Sequence, residues 1–118
     1  MTTVTQTRQV VSAFHAARTA SDFETAARHL APTFRFQSPL MVIEDPFAYL
    51  RVQAGFNTII TKVDLISDLY GEGEATLIYD VHSQTPSSPQ RTAEHLKVAG
   101  GMIQSIVLIF DAAPWRIS

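Results

Sequence analysis

In the stretch "TAEHLKV", residues 92–98, a two-residue period puts Thr92, Glu94, Leu96 and Val98 on one face and Ala93, His95 and Lys97 on the other. The second face is ordinary for a strand with one side near water. The first is apolar except for a carboxylate. Burial disfavours the charged form of a carboxyl, which suits Glu94 to act as an acid or as a hydrogen-bond donor and makes it the candidate catalytic residue. The competing reading is a glutamate near a pocket mouth, hydrated or paired with an arginine. On "TLIYDVH", Leu77, Tyr79 and Val81 share an apolar face that antiparallel pairing should set beside Glu94 and Leu96. The Tyr79 hydroxyl then either meets a ligand or is a satisfied group in the wall. Tyr49 offers the same chemistry from a helix. Ser38 stands before Pro39, where it either bonds locally or touches a ligand or an ordered water.

The other candidate ligand contacts are apolar. Phe14, Phe34, Phe36 and Phe56 read as pocket wall and core, with Leu96, Ile106 and Leu108 beside them. An aromatic-rich pocket with few polar groups is how small apolar molecules are usually held. Asp80, His82, His95 and Lys97 alternate to the opposite, outer face. Asp and His can ligate zinc, but these residues lie on different strands whose register the sequence does not fix, and no family motif supports a site, so the reading is a hydrated or dimer-facing patch and no metal. His15 and His29 have no companion ligands and are given no chemistry. "GEGE" and "AGG" are turns, with no phosphate loop and no nucleophile motif, and no cofactor is expected.

The chain has 118 residues, a usual size for one domain spanning 1–118. Hydrophobic residues at 46% and charged residues at 17% allow a core and argue against disorder. A net charge of −2 leaves no basic footprint for nucleic acid. The absence of cysteine excludes disulfides and thiol chemistry. No apolar run approaches the roughly 20 residues of a membrane helix. The N-terminal "MTTVTQTRQVV" lacks a signal-peptide layout, so the expectation is a soluble cytoplasmic protein.

Three helices and five strands must position these residues. Val4, Val11 and Phe14, with Val10 and Ala17, predict a helix over about Val4 to Thr19. "SDFE" reads as a capping box with Ser21 as N-cap and Glu24 at the third position, starting a second helix at Asp22 that Pro32 stops. "FRFQS" alternates as a short strand. "EDPFAYLRVQAGF" predicts a third helix with Asp45 as cap, Pro46 in the first turn and Gly55 as closer. A meander of strands follows near 61–69, 74–83, 91–98 and 102–110, joined by "YGEGE", "QTPSSPQ" and "AGG". The last, "MIQSIVLIF", is apolar on both faces, with Ile106, Leu108 and Phe110 on one and Ile103, Val107 and Ile109 on the other. Such a strand needs cover on both sides. Helices supply one, and a second copy packed on the outer face of the sheet is the expected other. Trp115 in the tail "DAAPWRIS" should pack back on the body. The result is an α+β fold with helices on one face of a curved antiparallel sheet, in the order α-α-β-α-β-β-β-β.

That order resembles the nuclear transport factor 2-like superfamily, in particular its SnoaL-like and ketosteroid-isomerase-like members. The resemblance rests on "FHAARTASDFETAARHLAPTFRFQSPL", "GEATLIYDV" and "EHLKVAGGMIQSIVLIFD" in sequence, and covers nearly the whole chain. It implies a cone-shaped sheet wrapped around the helices, an apolar pocket at the open end, and a homodimer. It also implies that the acid at Glu94 points into the pocket, where the isomerases use a neutral carboxyl to donate to a developing oxyanion. The isomerases' tyrosine donor and aspartate base correspond to Phe14 and Ser38, which can do neither job, so that mechanism is not expected. The resemblance leaves two functions open. One is acid/base chemistry by Glu94 on a small apolar carbonyl compound, as isomerisation or cyclisation. The other is a non-catalytic binding or assembly module.

Overall fold

The structure is a computed structural model that describes residues 1–84 and 89–115. Part of the expected turn "QTPSSPQ" and the end of the expected tail therefore lie outside the described residues.

Helix α1 (Val4–Thr19) opens on a capping box that the sequence reading did not place. The Gln6 amide donates to Thr3 Oγ1 at 3.1 Å, and the Thr3 amide donates back to Gln6 Oε1 at 2.9 Å. Its buried stripe is Thr7, Val11, Phe14, Ala17 and Arg18, while Val4 is exposed. Helix α2 (Phe23–Arg28) is capped by Asp22 and not by Ser21, since the Thr25 amide donates to the Asp22 carboxylate. Ser21 instead turns the chain at a φ of 59°. Pro32 does not end a helix but lies inside strand β1 (Leu30–Gln37). The parallel pairing of β1 with the last strand breaks register between Leu30 and Arg35, so the amide that proline lacks falls in a gap of the ladder.

A two-residue strand β2 (Val42–Ile43), not foreseen, pairs with the end of β1. Helix α3 (Pro46–Asn57) starts as expected, with the Ala48 amide on the Asp45 carboxylate at 2.8 Å. It runs through Gly55 to Asn57, and Thr58 closes it by donating its hydroxyl to the Gly55 carbonyl.

Strands β3 (Ile60–Tyr70), β4 (Glu74–Ser83), β5 (Gln90–Ala99) and β6 (Met102–Ile109) form the expected antiparallel meander. The six strands lie in the order β2-β1-β6-β5-β4-β3. Because β1 runs parallel to β6, the curved, unclosed sheet is mixed and not wholly antiparallel. The β3–β4 turn docks on α1: the Gly73 amide donates to Thr7 Oγ1 at 2.9 Å, and the Val98 amide to the Gly73 carbonyl at 2.9 Å.

One facing assignment on β6 is corrected. Val98 pairs with Ile103 and Lys97 with Ser105, so Gln104 is an extra residue that reverses the alternation. Ile103 therefore joins Ile106 in the core. Val107 and Ile109 face outward and are exposed, Ile109 by 59%.

Candidate active site

The inner face of the sheet divides along β5. At one end Leu96 and Val98 pair with Ala75, Ile106 and Ile103, and all five are buried in the core with Val11 and Phe14 of α1. At the other end, Thr92, Tyr79, Val81, Leu108 and Phe110 line an open cavity of about 540 Å³. Glu94 stands at the boundary, opposite Leu77 on β4 and Leu108 on β6. The register thus sets its carboxylate at the cavity floor, with core behind it.

Arg18 meets it there. It follows Phe14 by four and Val11 by seven, the spacing that aims a helical side chain at the core. Its Nη1 donates to Glu94 Oε2 at 2.7 Å and its Nη2 to Oε1 at 2.5 Å, a two-pronged ion pair with side chains only 4% and 1% exposed. The other hydrogens of the two Nη groups go to the Tyr49 hydroxyl at 3.1 Å and to His15 Nδ1 at 2.7 Å. The Phe14 ring backs the guanidinium, 4.9 Å from Cζ. Burial opposes the charge on Arg18, but Glu94 and the tyrosines outweigh it and hold the guanidinium well above its ordinary value.

The groups around the pair are neutral. Burial is the main reason that Tyr49 and Tyr79 are raised above the ordinary phenol, with Glu94 adding to the rise in both and Arg18 opposing it, so both hydroxyls keep their protons. Burial, helped by Arg18 and opposed by Glu94, brings His15 down to about 4. A polar chain continues along α3. Tyr49 donates to Gln53 at 3.3 Å, Gln53 to Asn57 at 2.8 Å, and Asn57 to the Arg18 carbonyl and Ser21 Oγ at 2.9 and 3.1 Å. This chain ties the end of α1 to α3 and fixes the arginine from behind.

Glu94, Tyr79, Tyr49, Phe36, Phe56, Ser38 and Leu108 all line the cavity. Phe14, Phe34, Leu96 and Ile106 do not. They are fully buried on the core side of Glu94, because the curved sheet closes against α1 at that end. Phe34 and Phe36 pack on Tyr49 with centroids 5.1 and 4.9 Å away, so Phe34 braces a lining residue without being one. The Ser38 hydroxyl accepts from the Leu40 and Met41 amides at 3.1 and 3.2 Å and holds a turn at the rim. Both Glu94 oxygens accept from Arg18, the arginine pairing that was the competing reading of this residue. Sequence reading missed His15, Arg18, Gln53 and Asn57.

Trp115 does pack back, on Phe56 and Phe110 with centroids 5.1 and 6.3 Å away, and it too lines the cavity. On the outer face, Asp80 pairs with Arg91, and His82 with Asp64 at 2.9 Å. No cluster able to hold a metal ion occurs among the described residues, and no helix among them is long and apolar enough to cross a membrane.

No family model matches the sequence, and no curated protein does. Solved structures do. A Kribbella flavida protein is 31% identical over 94% of this chain and 91% of its own, with a TM-score of 0.86. An NTF2-like protein of unknown function from Cytophaga hutchinsonii is 22% identical over 92% and 93%, at 0.82. The chain has the nuclear transport factor 2-like fold. Other proteins with this fold include a second Kribbella flavida protein, provisionally named a ketosteroid isomerase, 19% identical over 96% and 83% with a TM-score of 0.80. Its fold neighbours also include proteins named for cyclase and epoxide hydrolase chemistry.

Proposed function

We propose that this chain binds a small, neutral, largely apolar molecule bearing an oxygen function, and that Glu94 exchanges a proton with it. The observation that carries the reading is a buried, two-pronged ion pair at the floor of an open cavity. A volume of about 540 Å³ lies within the usual range for small-molecule sites. Phe14 and Phe34, which could have filled it, sit in the core instead. As a stabilising device alone, a buried ion pair is a poor choice, because well-packed apolar residues serve as well or better. As a fixed dipole beside a bound molecule it is what acid/base chemistry uses. With both Nη groups of Arg18 fully engaged, the pocket has no spare terminal donor on its one buried cation, which favours an uncharged ligand.

Proton transfer at a carbon next to a carbonyl, or ring closure begun by it, is the chemistry that fits. The hold of Arg18 on both oxygens also favours a second reading, in which Glu94 only orients a ligand. Hydrogen–deuterium exchange separates the two. Cyclic ketones, from cyclohexanone to a decalone, are incubated in D2O with wild type and with Glu94→Gln. Exchange next to the carbonyl that wild type accelerates and the variant does not supports proton transfer. Binding without exchange supports the orienting role, and no uptake of any ketone rejects the pocket.

A further inference from the structure

We infer that His15 is the residue that recognises the ligand's oxygen, as a neutral Nε2–H donor whose tautomer Arg18 fixes. The argument begins with the 2.7 Å contact between His15 Nδ1 and Arg18 Nη2. A guanidinium has donors and no lone pair to offer, so Nδ1 must be the acceptor. An imidazole that accepts at Nδ1 is neutral and carries its hydrogen on Nε2. The downward shift to about 4, caused first by burial and then by the charge of Arg18, agrees with a neutral ring. Arg18 cannot turn away to relax this contact. Its Nη groups are tied to Glu94 and Tyr49 as well, and Phe14 backs it.

No hydrogen bond among the described residues involves Nε2. His15 is half-buried, lines the cavity, and stands with its ring 5.5 Å from that of Tyr79. The charged groups that face it are Arg18 and Glu94, and Tyr79 is the titratable neighbour on the sheet. Arg18 therefore acts at one remove. It spends its own donors inside the protein and passes the recognition of an acceptor to a neutral imidazole. A neutral donor matches a carbonyl, ether or epoxide oxygen, and it does not draw a carboxylate or phosphate as a cation would. The inference rests on the ligand pocket proposed above and adds the atom that selects its ligand.

The test pairs each cyclic ketone with its parent hydrocarbon, which has nearly the same shape and no acceptor. Trp115 is the only tryptophan and lines the cavity, so its fluorescence reports uptake. Wild type should prefer the ketone by about fivefold, the worth of one neutral hydrogen bond. His15→Phe should lose that preference and bind ketone and hydrocarbon alike, and His15→Gln, which keeps a donor, should retain part of it. In the free protein, nitrogen-detected NMR at neutral pH should show His15 as the Nε2–H tautomer, with its Nε2 signal moving on ketone binding. Equal wild-type affinity for ketone and hydrocarbon overturns the role of His15 and leaves the pocket standing, as does a preference that survives in His15→Phe. An Nδ1–H tautomer also overturns it. Uptake of neither probe class overturns the pocket itself.

Discussion

The Arg18–Glu94 pair can be tested as a pair by Arg18→Met, Glu94→Leu and the two together. Each single change leaves one buried partner uncompensated, which costs about 3–5 kcal/mol at such sites. The two costs differ for a reason visible in the geometry. After Glu94→Leu the guanidinium still donates to Tyr49 and His15 and still lies over the Phe14 ring. After Arg18→Met the carboxylate loses both of its Arg18 donors, and Tyr49 and His15 lose one each. Arg18→Met should therefore be the worse single, near the top of that range. In the double variant no charge is left, Tyr49 keeps its bond to Gln53, and two apolar side chains fill the space. Its stability should return to within about 1–2 kcal/mol of wild type. The assay is urea unfolding followed by far-ultraviolet circular dichroism. With a slope of about 1–3 kcal/mol per molar urea, the singles should move the midpoint by roughly 2 M and the double by much less. The same double variant should fold yet fail to accelerate exchange in ketones. Singles that each cost under about 1 kcal/mol would refute the reasoning, because the pair would then be water-screened and the cavity floor not dry.

Three further outcomes are expected. His15 has a folded value of about 4 against 6.5 unfolded, so the unfolded chain takes up the proton first; stability is full above 6.5 and falls by up to about 3 kcal/mol as the pH drops to 4. Asp22 and Asp80 are lowered by their hydrogen bonds to Thr25 and Arg91 and act only below 3.8, so they do not share that window. A wild-type urea midpoint that is flat from pH 6.5 to 4, or one whose slope survives His15→Gln, counts against the buried neutral imidazole. Gly73→Ala should cost about 1–3 kcal/mol, since φ is +82° and the new Cβ would sit 3.1 Å from the Val98 carbonyl; a thermal midpoint equal to wild type would mean the turn relaxes freely. Packing of two copies through the outer sheet face, our proposal for covering Val107 and Ile109, predicts a dimer in sedimentation velocity that Ile109→Lys turns into a monomer. A wild type that sediments as a monomer rejects it.

Much of this fold is legible in the sequence because the signals are local. The stripe on α1, the Asp45–Pro46 start of α3 and the alternation of β4 and β5 each depend on a few neighbouring residues, and each appears where expected. The errors come from non-local effects. Pro32 reads as a helix stop until the ladder gap between Leu30 and Arg35 accommodates it. Gly55 reads as a helix end, but Thr58 is there to close the helix instead. Ile103 reads as outward-facing because a bulge, which no local pattern marks, shifts the phase of β6 by one residue. The sorting of aromatic residues between wall and core fails similarly. Phe34 and Phe36 both lie on the inner face of β1, and only the curvature of the whole sheet buries one behind Tyr49 and leaves the other at the cavity.

The site itself was half legible, and the missing half is instructive. Glu94 stands out because it occupies a strand position where the period asks for an apolar side chain. Arg18 occupies the same kind of position on a helix, four residues after Phe14 and seven after Val11, yet it reads there as the end of a stripe. The two are 76 residues apart, and nothing local joins them. Physical chemistry does join them. A carboxylate cannot be buried alone, and neither can a guanidinium. A chain that places one of each on apolar-patterned faces therefore has a strong reason to bring them together. Arg18 is the only buried arginine among the described residues, so the pairing has no competitor. Once Arg18 is set against Glu94, the remaining assignments follow in order. Its second set of donors fixes the His15 tautomer and the Tyr49 hydroxyl, and those neutral groups, more than the charges, are what the cavity offers to a ligand.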